Sequence, residues 1–575
     1  MLLQLNDAAR VEDAKRAIDE LVGVHNEWFL AQDGGAPLAI ASGEFDFSVD
    51  HRRLIFSSWT EIGSRSWRVT SWNWIGEKLV METSRRMGAE KSTLELVPRV
   101  SARALVAGIA AARYARCVRL AQIASEALVA QTSVCESFVE DHRLESVPLS
   151  LELKIESAAL SPGMRRDQPG RYARVILRRP RERIALTAIV ANSDARNVDS
   201  LFSSALLWFN RLQSRPKRPP IEKLLIATEP NILQAARQRH VLLRESLRQR
   251  IQLFEIRGSS PTNLDTRAGS PLLDGKDAQF ETRGNSPTVR EGSWLSSDEA
   301  WYRLEPARLC ERKNLWRARL RQFPAIAEDD MIERVKQIIA LRPQAIDVIT
   351  SRHGQTLRYH GLPFARVRRV MNRDRIWFGI EGSRRRLLDD YHEQDWIKLF
   401  RDLEHYRDAS CRDRRHWFYR AAGEAWLESI LRRDISRLDP GLIVAPLHAQ
   451  FRTSHGGPTG ARPIDLLALR HDGRLAVIEL KVNEDREHVF QGVDYWRRVE
   501  AHRRRGHITT AKLFGEREIS DESPLVYLVA PTLRFHPSFT TLARTIAPDI
   551  EVYRFDINED WRGGVRVVRR GRVNA

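Results

Sequence analysis

Cysteine is scarce in this chain of 575 residues, and the four present (Cys117, Cys135, Cys310 and Cys411) stand far apart. No Cys-x-x-Cys pair or Cys/His ligand spacing occurs. That argues against a zinc framework and a disulfide-stapled scaffold, and it points to a reducing cytoplasm. Long apolar runs are lacking too. The longest small-apolar stretch, Ala104 to Ala112, falls far short of the roughly 20 residues a spanning helix needs, so no membrane partner is expected. The first residues carry no charged-then-apolar leader. A phosphate-cradling G-x-x-x-x-G-K-[ST] is missing. The loop Gly456-Gly457-Pro458-Thr459-Gly460 has no lysine in the required place and reads as a mobile loop. No nucleophile elbow marks a serine or cysteine triad. Acids are the minority charge: 75 against 93 lysines and arginines, for a formal net charge of +18. Such a balance favours polyanionic partners, nucleic acid above all.

What is present divides into five parts. Residues 1–100 read as a β-rich N-terminal domain, because aromatic and branched residues alternate from Phe45 to Val97 after a short helix. Trp59, Trp67, Trp72 and Trp74 there are core packing first and a base-stacking platform second. Residues 101–256 read as a long Ala-rich helix followed by alternating strands and helices, an α/β layer that loosely echoes the C-terminal end without its acidic motif. Residues 257–300 are rich in Gly, Ser, Pro, Asp and Thr, with RGSSP, RAGSP and RGNSP recurring, and are expected to be a disordered linker. Residues 301–410 read as a basic α+β connecting domain. Between Phe364 and Arg386 eight arginines face two acids, with Arg384, Arg385 and Arg386 closing the run, and a DNA-facing surface is one expectation for it. Residues 411–575 hold the motif on which a function can be built.

That motif is PIDLLALRHDGRLAVIELK, Pro463 to Lys481. It reads as two strands joined by a turn at His471-Asp472-Gly473-Arg474, where Asp-Gly suits the positive φ angles of a two-residue hairpin. The second strand is apolar on both faces except at Glu479 and Lys481, which point to one side at i and i+2. A strand so apolar is expected to be central and covered on both faces. Burying a carboxylate and an ammonium there is costly unless they are paired or coordinated. Asp465, on the preceding strand, brings a second carboxylate toward Glu479.

The arrangement Pro463-Ile464-Asp465, then Glu479-Leu480-Lys481, resembles the PD-(D/E)XK nuclease superfamily. Upstream, Gly423 to Leu431 reads as the acidic helix and Gly441 to Arg452 as the first core strand. Downstream, Gln491 and Tyr495 give the Q-x-x-x-Y spacing of RecB-like members, and IDLLA…DGRLAVIELK is most similar to the C-terminal domain of NucS-type endonucleases. The resemblance covers about residues 416–510. It implies an α/β (α+β multidomain) class in which a C-terminal restriction-endonuclease-like mixed sheet flanked by helices follows N-terminal β-rich and α/β domains.

The activity implied is Mg²⁺-dependent endonucleolytic cleavage of DNA, with Mn²⁺ as a substitute, in restriction, phage defence or repair. Asp465, Glu479 and the carbonyl of Leu480 would hold the metal. Lys481 would position water, with its pKa lowered by the cation, and Glu424, with Glu428 as competitor, would be the helix acid. Gln491 would orient lysine or phosphate, with Tyr495 supporting it. Arg497 and Arg498, near a basic helix end that continues to Arg503-Arg504-Arg505, would grip flanking phosphates. A homodimer or a partner protein is left to the N-terminal domains. The competing expectations are a non-cleaving nucleic-acid-binding scaffold on a decayed nuclease fold, and an RNase.

Overall fold

The computed structural model describes residues 3–4, 8–32, 38–50, 53–60, 63–75, 78–84, 91–98, 102–137, 153–163, 170–180, 182–191, 198–214, 220–258, 301–317, 331–351, 354–370, 373–380, 386–451 and 463–575. Among them the chain is mixed α and β, built on four sheets. No helix among the described residues is long and apolar enough to cross a membrane.

The alternating N-terminal segment makes an antiparallel sheet. Its strands are β1 (Leu3–Gln4), β2 (Glu27–Gln32), β3 (Leu38–Ala41), β4 (Phe45–Asp50), β5 (Arg53–Thr60), β6 (Gly63–Ile75), β7 (Lys78–Ser84) and β8 (Lys91–Pro98), in the order β3-β2-β8-β7-β6-β5-β4 with β1 on β6. Helix α1 (Ala8–Val22) covers one face, setting Val11, Ala14 and Ile18 against Trp28, Phe47, Phe56, Trp67 and Trp72. Trp67 and Trp72 are therefore core and unavailable for stacking on bases, and Trp74 packs at the edge of the same cluster. The side chain of Trp59 lies outside the described residues.

The second sheet is laid down by α2 (Ala102–Ser137), β9 (Lys154–Leu160), β10 (Tyr172–Arg178), β11 (Arg183–Ile189), α3 (Val198–Gln213), β12 (Ile221–Thr228), α4 (Pro230–Val241), α5 (Glu245–Arg248), β13 (Ile251–Gly258) and β14 (Trp301–Pro306). The strand order follows the sequence, with β11, β12 and β13 parallel and the outer pairs antiparallel. β11 is buried along its whole length because α2 and α3 cover opposite faces, hence a sequence that is apolar apart from Arg183 and Thr187. β14 corrects the expected domain boundary. It pairs antiparallel with β13, with Gly258 opposite Trp301, so residues 301–306 belong to this sheet and not to the next unit. Of the segment expected to be a disordered linker, 257–300, Arg257 and Gly258 are instead the end of β13, while 259–300 lies outside the described residues and connects two neighbouring strands.

The third sheet is an antiparallel meander of β15 (Ile346–Ser351), β16 (Gly354–Tyr359), β17 (Leu362–Val370), β18 (Arg373–Phe378) and β19 (Arg386–Leu387), following α6 (Glu333–Leu341) and followed by α7 (Glu393–Tyr406) and α8 (Trp417–Arg420). Phe364, Val367, Ile376 and Phe378 pack against Val335, Ile338, Leu403 and Phe418. Arg407, fully buried, donates to the carbonyls of Tyr359, His360, Phe418, Ala421 and Ala422, and so fastens this sheet to the start of the next unit.

The C-terminal unit contains α9 (Gly423–Arg433), β20 (His448–Phe451), β21 (Ile464–Leu469), β22 (Leu475–Leu480), α10 (His488–Arg503), α11 (His507–Thr510), β23 (Leu525–Pro531), α12 (Phe539–Ala543), β24 (Val552–Ile557) and β25 (Val567–Arg572). The expected first strand from Gly441 is shorter than read: regular pairing begins only at His448. Strand order again follows the sequence, antiparallel outside and parallel across β22, β23 and β24. One apolar core spans the second and fourth sheets: Phe202 of α3 meets Phe490 of α10 with ring centroids 5.9 Å apart, and Trp208, Phe209, Trp496 and Phe539 belong to the same cluster.

Buried histidines set the pH response of this packing. Burial, then the guanidiniums of Arg433 and Arg407, hold His360 down to about 4. Burial also lowers His240 and His448. An unfolded histidine titrates near ~6.5, so as pH falls the unfolded chain takes up these protons first. The stabilisation is complete above ~6.5 and is lost on the way down to the folded pKa. The denaturation midpoint is expected to be lower at about pH 5.5 than at about pH 7.5. His360→Asn, tolerated at this residue's φ of 42°, should shrink that difference in paired urea titrations.

Candidate active site

The hairpin carrying the motif is central and dry. Every residue of β22 is buried, between β21 on one side and β23 on the other. Its turn differs from the expected two-residue type. Gly473 alone takes a positive φ (78°), its N–H bonds the Arg470 carbonyl at 3.0 Å, and the Asp472 carboxylate accepts from Arg474 N–H at 3.0 Å. This is a type I turn closed by a left-handed glycine. It sets Leu466 opposite Ile478, and continuing that register by one residue sets Asp465 opposite Glu479.

Three of the expected site residues converge at the carboxyl end of β22. Glu479 is 2% exposed and Lys481 9%. Lys481 Nζ donates to Glu479 Oε1 at 2.8 Å and stands 3.8 Å from both Glu424 Oε1 and Asp485 Oδ2. Asp465 Oδ2 accepts the Leu480 N–H at 2.9 Å, so Leu480 enters the site through its amide. Burial, then the neighbouring Glu479 charge, pushes the Asp465 carboxyl well above the usual range. Burial raises Glu479 too, against the pull of Lys481. Burial alone would lower Lys481, but Glu479, Glu424, Asp465 and Asp485 together raise it.

Glycines let the flanking helices come this close. A Cβ on Gly423 would lie 2.9 Å from Val482 Cγ2, so the first turn of α9 rests directly on the end of the motif strand and presents Glu424. A Cβ on Gly492 would meet Leu528 Cδ2 at 2.5 Å, Val526 Cγ1 at 3.2 Å and Glu479 Cβ at 3.8 Å. Gly492→Val is expected to cost about 1–3 kcal/mol through overpacking and to loosen the site, as read from the urea midpoint.

The choice between Glu424 and Glu428 is decided by their partners. Glu428 is buried and takes Arg358 Nη2 of β16 at 2.9 Å, which makes it a tie between the third and fourth sheets. Glu424, with its side chain 45% exposed, is the one that faces Lys481. Gln491 lies beside the site, but its amide nitrogen reaches Glu487 Oε2 at 3.4 Å, and no bond to Lys481 forms. Its buried Oε1 has no partner. Tyr495 is buried, its hydroxyl raised by burial and then by the Glu479 and Asp465 charges.

The expected phosphate-gripping arginines are placed otherwise. Arg497 donates to Asp494 Oδ1 at 3.0 and 2.8 Å, and Arg498 pairs with Asp494 Oδ2. Asp494 is buried and also takes Arg239 of α4, which in turn holds Asp199 at 2.6 Å. Arg497 and Arg498 are thus tied through Asp494 into the contact between two sheets. Further along, Arg503 and Arg504 hold Glu500, and Arg505 donates to the Trp316 carbonyl. Arg386 pairs with Asp395, while Arg384 and Arg385 lie outside the described residues. The loop from Gly456 to Gly460 is outside them as well.

Sequence reading missed two contributors. Asp485 adds a fourth carboxylate around Lys481. His488, buried and held down to about 3 by burial and then by the Lys481 charge, is neutral and donates from Nε2 to the Glu479 carbonyl at 3.2 Å. Both fall within seven residues of Lys481, in the segment that leads into α10. A pocket lined by Asp439, Arg470, Arg474, Tyr527 and Arg570 lies at the opposite end of the sheet, where these charges pair with one another.

The donor set bears on whether a cation fits. Among the described residues, no group of three or more His, Cys, Asp or Glu side chains is gathered as a metal cluster. Two carboxylates face each other instead, and Glu479 Oε2 receives no hydrogen bond from the protein's N–H and O–H groups. A buried carboxylate oxygen left so is costly. A proton shared with Asp465 or a cation between the two would relieve it. Hard oxygen donors with room for water and phosphate oxygens suit Mg²⁺, which keeps several waters when bound. Comparison with protein-family models, curated proteins and solved structures finds no match to this chain.

Proposed function

We propose that the chain is a divalent-metal-dependent phosphodiester hydrolase acting on DNA, with a PD-(D/E)XK-like nuclease unit at its C-terminal end. One observation carries the reading: two carboxylates, the half-buried Asp465 and the buried Glu479, face each other at the end of a central hairpin, with Lys481 Nζ 2.8 Å from Glu479. Such a pair is expensive to bury for packing alone, and its place at the carboxyl ends of parallel strands is where open α/β sheets bind ligands. Asp465 and Glu479 would hold the cation, with the Leu480 carbonyl as a further oxygen ligand. When bound, the metal supplies charge neutralisation at the scissile phosphate and an acidified water.

The chain's own residues do the rest. Lys481, charged and fixed by Glu479, Glu424 and Asp485, orients the attacking water and offsets charge growing on the phosphate oxygens. Glu424, the most open of these carboxylates, can accept a hydrogen bond from that water. Gln491, whose Oε1 is unpartnered, supplies a polar contact beside Glu487. The net charge of +18 supports a polyanionic substrate. The test is an assay with Mg²⁺ and Mn²⁺ on plasmid, single-stranded DNA and RNA, with Asp465→Asn as control. Cleavage of DNA by the wild type alone is the expected result. Binding without cleavage would favour a scaffold, and cleavage confined to RNA would replace the substrate.

A further inference from the structure

The second and fourth sheets follow one plan. Each runs six strands in sequence order, with two antiparallel pairings, two parallel ones and a last antiparallel one. A helix precedes the strands, and further helices cross between the third and fourth and between the fourth and fifth: α2, α3 and α4 in one, α9, α10 and α12 in the other. The crossover helices α3 and α10 pack on each other in the single shared core. The chain segments after α4 and α12 pair antiparallel: Leu243 bridges Ile546, Arg244 N–H meets the Thr545 carbonyl at 2.9 Å, and Ala547 N–H meets the Leu242 carbonyl at 2.9 Å. Like therefore meets like across the contact, as in an isologous dimer.

Register and face assign the counterparts of the catalytic residues. Glu479 is opposite Leu528, and Leu528 belongs to the shared core. In the other unit Leu224 and Ile226 of β12 both belong to that core, opposite Ala185 and Thr187; Ile226, two residues before the end of its strand as Leu528 is three before the end of β23, is the nearer match, and the alternative pair, Ala185 with Ile176, offers no carboxylate either. Thr187 thus stands where Glu479 does, and Ile189, two residues on, where Lys481 does. Thr187 is paired with Arg174, which stands where Asp465 does. The threonine hydroxyl is spent on the Ala173 carbonyl at 2.7 Å. The Arg174 guanidinium lies over Trp208 at 5.7 Å, in the field of Arg211 and Arg486. A guanidinium at one ligand position repels a divalent ion, and the threonine and isoleucine at the other two supply neither a carboxylate nor the lysine.

We infer that the unit formed by α2 to α5 and β9 to β14 is a blank counterpart of the catalytic unit, so that each chain is an internal pseudo-dimer with one cutting centre, and it breaks one strand of a duplex per encounter. The inference rests on the nuclease reading for its product and on the sheet pairing for its asymmetry. One water is consumed and one P–O bond broken, leaving one phosphomonoester and one hydroxyl end. With the full chain, Mg²⁺ and limiting enzyme, supercoiled plasmid should pass to open circles, and linear DNA should follow only after a lag from a second, independent cut. Linear and open-circular products rising together from the start would overturn it.

Mn²⁺ titration followed by electron paramagnetic resonance, without DNA, gives an independent measure. One site per chain, lost in Asp465→Asn, is expected. Two sites per chain, or one that survives that substitution, would overturn the asymmetry. One Mn²⁺ site with no cleavage of any nucleic acid would sink the nuclease reading and leave the one-centre architecture standing. No Mn²⁺ bound by the wild type would remove both.

Discussion

Asp465→Asn is expected to lower metal-dependent cleavage by at least about a thousandfold while leaving the chain folded and bound to DNA. The asparagine keeps an oxygen for the Leu480 N–H but removes the charge that would hold a cation. It also relieves the like-charge contact with Glu479 that, after burial itself, raises Asp465. The variant should therefore be as stable as the wild type or more so in metal-free urea titrations, the usual sign of a residue retained for function against stability. Lys481→Ala should lose activity comparably but in the opposite thermodynamic direction, because Glu479 would be left buried without its cationic partner. Cleavage retained by both purified variants would remove the assignment. Loss of folding in Asp465→Asn would make the carboxylate structural.

The second large effect lies away from the chemistry. Asp494→Ala is expected to cost about 3–5 kcal/mol, the range for breaking a buried ion pair by deleting one partner. The carboxylate gathers Arg239, Arg497 and Arg498, and Arg239 retains only Asp199 when it is gone. Burial works against the ionised Asp494, yet Arg239, Arg498 and Arg497 in that order hold its pKa far below the ordinary value. Its contribution is therefore present above the unfolded carboxylate pKa of about 3.9 and is lost only as pH falls below that. Equilibrium denaturation near neutral pH measures the loss. A change under about 1 kcal/mol would mean that water screens the cluster.

Legibility followed distance along the chain. Asp465, Glu479 and Lys481 could be read because one short hairpin contains them, and alternation fixes which side chains share a face. The tie of Arg497 and Arg498 to Asp494 stands at helical spacing, i+3 and i+4, and is legible in the sequence as an alternative to a phosphate-facing charge run. Glu428 was undecidable: its partner, Arg358, belongs to another sheet and is 70 residues away. The mixed α and β class and the two hairpin strands of the C-terminal unit are legible in the sequence because their apolar runs are dense. The membership of β14 did not, since nothing local to Trp301–Pro306 says which edge it will join. The kinship of the two six-stranded sheets was faint for a related reason. It lives in pairing directions and faces, while the side chains that would advertise it have been exchanged for Arg174, Thr187 and Ile189.

The pairing of Gly258 with Trp301 has a practical corollary. Because departure and return points are neighbours, the span they enclose adds only a weak, logarithmic entropy cost to closing the loop. Proteolytic scission inside 259–300 would give two polypeptides still zipped together along adjacent strands and co-migrating on a native column. Conversely, exchanging the span for a short turn would delete dozens of residues without unseating either strand.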